Sequence, residues 1–166
     1  MQVSRTHLWI AAVAACLPVL GFAVFLMWLN SQPPVLARSD QRDPLTGMPL
    51  SITMNPLRDR TLERTANAFI GQMRDGDCRK LLGKWERDYR RKWATFICNS
   101  EAQHPLISWK LVEWEDAPPL IILHYRGERY SSPSHDATYK DLLSVTLARG
   151  GDDGGAWAVT KYDAMY

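Results

Sequence analysis

Histidine, cysteine and charge of one sign are all scarce in this chain of 166 residues. The four histidines, His7, His104, His124 and His135, include no pair at the spacing of a helical metal site. No metal and no cofactor is therefore expected. Three cysteines are too few for a miniprotein built on disulfides, and no Cys-x-x-Cys suggests a redox pair. The net charge of +2 excludes a basic footprint over the whole chain, and with it a nucleic-acid partner. The one glycine cluster, GGDDGG at 150–155, is acidic and would repel a phosphate rather than cradle it. Internal repeats and coiled-coil heptads are absent too. With 46% apolar and 23% charged residues, wholesale disorder is also excluded.

What is present is unevenly spread. Residues 8–29, LWIAAVAACLPVLGFAVFLMWL, contain no charge. A helix needs about 20 apolar residues to cross a hydrocarbon core of about 30 Å. Trp9 and Trp28 stand near the ends of this run. As a helix it would set them roughly 28 Å apart, the separation of the two headgroup layers that indole rings favour. Pro18 and Gly21 are tolerated in such helices. The segment is read as a transmembrane helix behind a short tail, 1–7, with the lipid bilayer as its partner. A cleaved signal peptide with a small-residue site at Val35-Leu36-Ala37 is the main rival; lipidation at Cys16 is a weaker one. Arg5 precedes the helix, and the first cation after it is Arg38, with Asp40 and Asp43 close by. The positive-inside bias then favours a cytoplasmic N-terminus and a periplasmic or extracellular C-terminal domain.

Residues 30–56 carry five of the ten prolines and are expected to form a tether, with turns at Asp43-Pro44 and Thr46-Gly47. Residues 57–166 are expected to form one α+β domain. Leu62, Ala66, Phe69, Ile70 and Met73 recur at helical spacing, which predicts a helix over 57–74 started by Asn55-Pro56. The helical period continues from Cys78 to Ile97 and is broken near Gly83. After His104-Pro105 the period becomes 2. Strands are predicted over 106–116, 120–130, 139–149 and 156–163, with short connections that favour an antiparallel meander. About three helices are therefore expected to pack on a curved four-stranded antiparallel sheet.

This order, together with Ala66-Asn67-Ala68-Phe69-Ile70, Gly76-Asp77 and the terminal Gly155-Ala156-Trp157-Ala158-Val159-Thr160, resembles the nuclear-transport-factor-2-like superfamily. That superfamily is also called SnoaL-like or cystatin-like. The resemblance covers roughly 57–166 and implies a cone-shaped domain. Its members include enzymes, ligand binders and scaffolds, so fold alone does not choose among them. The layout of short tail, one membrane helix and cone domain also resembles the bitopic assembly factor of type IV secretion systems, without a diagnostic motif.

Four sets of residues are candidates for function. Cys78 and Cys98 can pair in an oxidising compartment, provided the chain folds back near Gly83; buried free thiols are the alternative. Asp141 shares the alternation of Tyr139, Leu143, Val145 and Leu147. Pointing into an apolar cone, it would serve as a general base, as the isomerase branch of the superfamily implies. If the strand instead begins after it, Asp141 faces water. Phe69, Trp93, Trp109, Tyr125 and Trp157 converge on the interior and either line a pocket or fill it. Arg87, Arg90 and Arg91 lie near one helical face of a segment, 76–98, with seven cations against three anions. That face suits anionic lipid or an acidic protein partner, or it is simply solvated. The leading functional expectation is a membrane-tethered, non-enzymatic domain that binds a protein partner or apolar ligand in the cell envelope. An isomerase- or hydrolase-like enzyme using Asp141 and a secretion-system assembly subunit are the alternatives.

Overall fold

The structure, a computed structural model, describes residues 5–76, 78–82, 88–149 and 155–164. The side chains of 5–15, 79, 82 and 88–93 fall outside that description. The chain divides into two compact units, Met1–Leu36 with Thr53–Arg58, and Ala37–Ile52 with Asp59–Tyr166.

The first unit is dominated by α1, Arg5–Asn30, with Pro18 inside it. Its described side chains begin at Cys16, and among the described residues no helix is long and apolar enough to cross a membrane. Most apolar residues from Leu17 onward are nonetheless exposed, including Leu17, Leu20, Phe22, Val24, Met27 and Trp28, while Leu29 is buried. The helix end is closed by local hydrogen bonds and by a distant residue. Ser31 donates to the carbonyl of Trp28 through its hydroxyl at 2.6 Å and its amide at 3.1 Å. Asn55, 26 residues further along, donates its side-chain amide to the carbonyls of Leu29 (2.7 Å) and Gln32 (3.3 Å). The last carbonyls of a helix have no partner within it, and Asn55, fully buried, supplies one.

Residues 30–56, expected to be a plain tether, hold two short strands, β1 (Val35–Arg38) and β2 (Ile52–Met54), which make a two-stranded sheet. Between them the expected turn closes on Asp43. Its carboxylate accepts the amides of Leu45 and Thr46, and its carbonyl accepts that of Gly47, whose φ is +68°. Glycine adopts that left-handed conformation without a Cβ penalty.

In the second unit, α2 (Thr61–Arg74) begins four residues later than the spacing predicts. Asp59 accepts both the amide and the hydroxyl of Thr61, while Arg58 is still turned back onto the Asn55 carbonyl. Leu62, Ala66, Ile70 and Met73 form its buried stripe. Two further helices, α3 (Cys78–Leu82) and α4 (Asp88–Gln103), lead to a four-stranded antiparallel sheet. Its strands, β3 (Leu106–Ala117), β4 (Leu120–Tyr130), β5 (Thr138–Arg149) and β6 (Trp157–Ala164), are neighbours in chain order. This is the expected α+β arrangement of helices on a curved meander. The helices cover one face, the inner face, where Leu123, Leu143, Val145 and Leu147 have no exposed surface. The strap 37–52 lies against the other, outer face through Arg38 to Glu113 (2.7 Å) and Asp43 to Arg126 (3.3 Å).

Register shifts interrupt β3 between Leu111 and Glu113 and the β5–β6 ladder between Thr146 and Leu147. An extra residue in one strand reverses the facing of everything after it. Trp114 and Tyr162 thereby turn inward, where strict alternation would put them outside.

Candidate functional site

Asp141 lies inside β5, which starts at Thr138, so the alternative in which it precedes the strand and faces water does not hold. Its side chain has no exposed surface. Directly across the ladder stands Gly127, with Arg129 two residues further along β4 on the same face. The space beside Gly127 is already taken: a Cβ there would come within 3.1 Å of Leu106 Cδ1 and 3.4 Å of Leu143 Cδ1.

Arg129 is also completely buried. Its Nε donates to Asp141 Oδ2 at 2.5 Å, and Nη1 and Nη2 donate to Glu101 Oε2 (2.9 Å) and Oε1 (2.7 Å). Nη1 also reaches the His104 carbonyl at 2.7 Å, and Nη2 the Tyr162 hydroxyl at 3.2 Å. Tyr162 in turn donates to Glu101 Oε1 at 2.8 Å. One guanidinium fork thus joins α4, β4, β5 and β6. A planar five-donor group suits two carboxylates at once, which an ammonium could not match.

Electrostatics in this cluster set burial against pairing. Burial opposes the charge on Arg129, but Glu101 and Asp141 overcome it and hold the guanidinium more firmly protonated than usual. For Asp141 burial wins: its pKa is raised, although Arg129 pulls the other way. Asp141 Oδ1 and the Tyr125 hydroxyl are buried with no hydrogen-bond partner among the described residues. Burial likewise pushes the Tyr125 phenol up. A general base must reach the proton it takes; Asp141 is enclosed and already accepts from Arg129.

The aromatic candidates do not line one open chamber. Phe69 packs on Tyr162, with ring centroids 5.7 Å apart. Trp109 donates to Asn67 at 2.9 Å and lies under the Arg74 guanidinium. Trp157 is covered by Arg149, and Tyr125 is buried in the core. The side chain of Trp93 lies outside the described residues, as do those of Arg90 and Arg91 and all of Arg87. The same holds for the side chain of Trp9, whereas Trp28 is about half exposed. Cys78 and Cys98 form a disulfide with Cα atoms 5.6 Å apart. It joins α3 to α4, two separate helices rather than one straight one.

Sequence reasoning missed Arg129, Glu101 and Tyr162. Arg129 carries a readable signal, since it continues the period-2 face of Leu123 and Tyr125. Glu101 stands at helical spacing from the buried Ala94, Ile97 and Cys98. Tyr162 had no such signal because the β5–β6 irregularity shifts its phase.

On the outer face, two neighbouring clefts of about 260 and 230 Å³ open between the strap and the sheet. Val112, Arg126 and Lys140 line both. Leu50 and Lys110 border the first, and Leu45, Met48 and Leu142 the second. His124, also on this face, meets Ser144 Oγ at 2.8 Å and Glu115 at 3.4 Å. Among the described residues no group of three His, Cys, Asp or Glu side chains could hold a metal ion.

No family model and no curated protein matches the chain. A designed nuclear-transport-factor-2-like protein of known structure is similar at a TM-score of 0.48 and 15% identity, over 64% of this chain and 97% of its own.

Proposed function

We propose that the protein is a single-pass membrane protein whose tethered α+β domain binds a protein partner or an apolar ligand and performs no chemistry at its inner face. The N-terminus is then cytoplasmic and the domain periplasmic or extracellular. One observation carries the non-catalytic reading: Arg129, without exposed surface, fills the inner face beside Asp141 and occupies its carboxylate. The tether is supported by the uncharged run 8–29 and by the exposed apolar side chains of α1, which would otherwise stand in water. The cation-rich stretch 76–98, with Arg87, Arg90 and Arg91, suits anionic headgroups by its sequence charge.

The test is extraction of membranes carrying the full chain, paired with reporter fusions at both ends. Retention after alkaline carbonate, with the C-terminal reporter outside, is the expected result. Release by carbonate would overturn the tether. A turnover assay in which the protein acts on a small carbonyl substrate and Asp141→Asn abolishes the activity would overturn the non-catalytic reading.

A further inference from the structure

We infer that the two neighbouring clefts on the outer face of the sheet, which share Val112, Arg126 and Lys140, are a binding site for a single-chain amphiphile with an anionic head. This deepens the reading of a binding domain by naming a ligand class and a surface. Lys110 on β3 stands directly opposite Arg126 on β4, and like charges facing each other across a ladder destabilise it. Only one of the two is neutralised. Arg126 pairs with Asp43, which the strap turn holds through the amides of Leu45 and Thr46, and it also reaches the Leu50 carbonyl at 3.4 Å. Lys110 and Lys140 have no ion-pair partner among the described residues. Glu128, which also lines the first cleft, faces Lys140 across the β4–β5 ladder and accepts from the Thr138 hydroxyl at 3.3 Å. Lys110 and Lys140, set against the single carboxylate of Glu128, leave the first cleft with a net positive charge that complements an anionic head.

The second cleft supplies the apolar part. Leu142 lies opposite Arg126, and Val112, 1% exposed, forms a floor shared with the first. At the rim the turn holds Leu45 outward with 91% of its surface exposed, the most exposed large apolar side chain of the described residues. A leucine fixed there gains burial only when something apolar lies against it. Head at the lysines and tail toward Leu45 and Met48 is the orientation this distribution selects. The two clefts together have the size of a small-ligand site, a few hundred Å³.

Calorimetric titration of the full chain in phosphatidylcholine nanodiscs, with empty discs subtracted, tests the site with octanoate, butanoate, octyl glucoside and inorganic phosphate. Octanoate should bind best, with affinity rising by up to about fourfold per added methylene. K110E/K140E should weaken octanoate about fivefold or more, and L45D should weaken octanoate more than butanoate. If the double variant melts differently from the parent, K110Q/K140Q replaces it. Equal octanoate affinity in the lysine variants overturns the site, as does octyl glucoside or phosphate binding as well as octanoate. Carbonate extraction and the Asp141→Asn assay are unaffected by that outcome, so the two readings fail separately.

Discussion

Arg129 and Glu101, 28 residues apart, meet in a two-pronged pair at 2.9 and 2.7 Å with essentially no water contact on either side chain. This pair fastens the last full turn of α4 to the C-terminal end of β4, a central strand of the sheet. It also converts what would be an acidic pocket into a closed polar core. Desolvating three ionised groups is expensive, and only a nearly complete set of hydrogen bonds makes such a cluster tolerable.

Loss of the arginine should therefore cost far more than loss of one contact. Arg129→Leu strands the Glu101 and Asp141 carboxylates in a low-dielectric interior, with an expected destabilisation of about 3–5 kcal/mol. Urea unfolding followed by tryptophan fluorescence measures it. A change below about 1 kcal/mol would show that the cluster is hydrated in solution.

Asp141 should leave a pH signature of unusual sign. Its folded pKa is raised by burial, against the pull of Arg129. The folded state then holds a proton that the unfolded chain releases near pH 4. Stability from this group is complete below that pH and is lost as pH rises through the folded value. Asp141→Asn should thus be most destabilising, relative to the parent, below about pH 4, with the gap narrowing as pH rises above it. Asp43 and Asp59 have lowered pKa values, through the amides of Leu45 and Thr46 and through Thr61 respectively. They act oppositely, losing their contribution as pH falls, so the comparison of parent and variant at each pH is the informative measurement.

Asn55 is the distant cap of α1. Asn55→Ala removes the donors to the Leu29 and Gln32 carbonyls, one of them buried, at an expected cost of about 1–2 kcal/mol. Amide hydrogen exchange should accelerate at Ser31 and Gln32 while the sheet of the second unit stays protected. Uniform acceleration over both units would contradict a local role.

The Cys78–Cys98 bridge closes a loop with a sequence separation of 20. In the chain-entropy account this contributes about 3 kcal/mol. Reduction, or Cys78→Ser with Cys98→Ser, should lower the midpoint of urea unfolding accordingly and slow the denatured chain on a non-reducing gel. Identical mobility with and without reductant would rule the bridge out.

Much of the architecture was legible in residue order. Strand β4 matches its predicted span of 120–130, and β3, β5 and β6 match theirs to within a residue at either end. Periods of 2 and 3.6 are properties of local geometry, and each element writes its own. The start of α2 was less legible, because whether Asp59 or Pro56 opens the helix depends on a side-chain hydrogen bond rather than on a period. Residues 30–56 read as a spacer by their prolines. Their strands and turn follow instead from contacts such as Arg38 with Glu113, whose partner lies 75 residues away.

The sequence by itself determined the apolar run at 8–29, the order of helices before strands, the alternation that makes Asp141 a candidate for the inner face, and the pair of cysteines free to meet. Only the tertiary structure decided what Asp141 does there. Local alternation can say that a carboxylate points inward but not what it meets. The register of β4 on β5 brings Arg129 to it, α4 brings Glu101, and a ladder irregularity turns Tyr162 toward them. These are long-range matters of register and packing, in which a shift of one residue moves a side chain to the opposite face of the sheet.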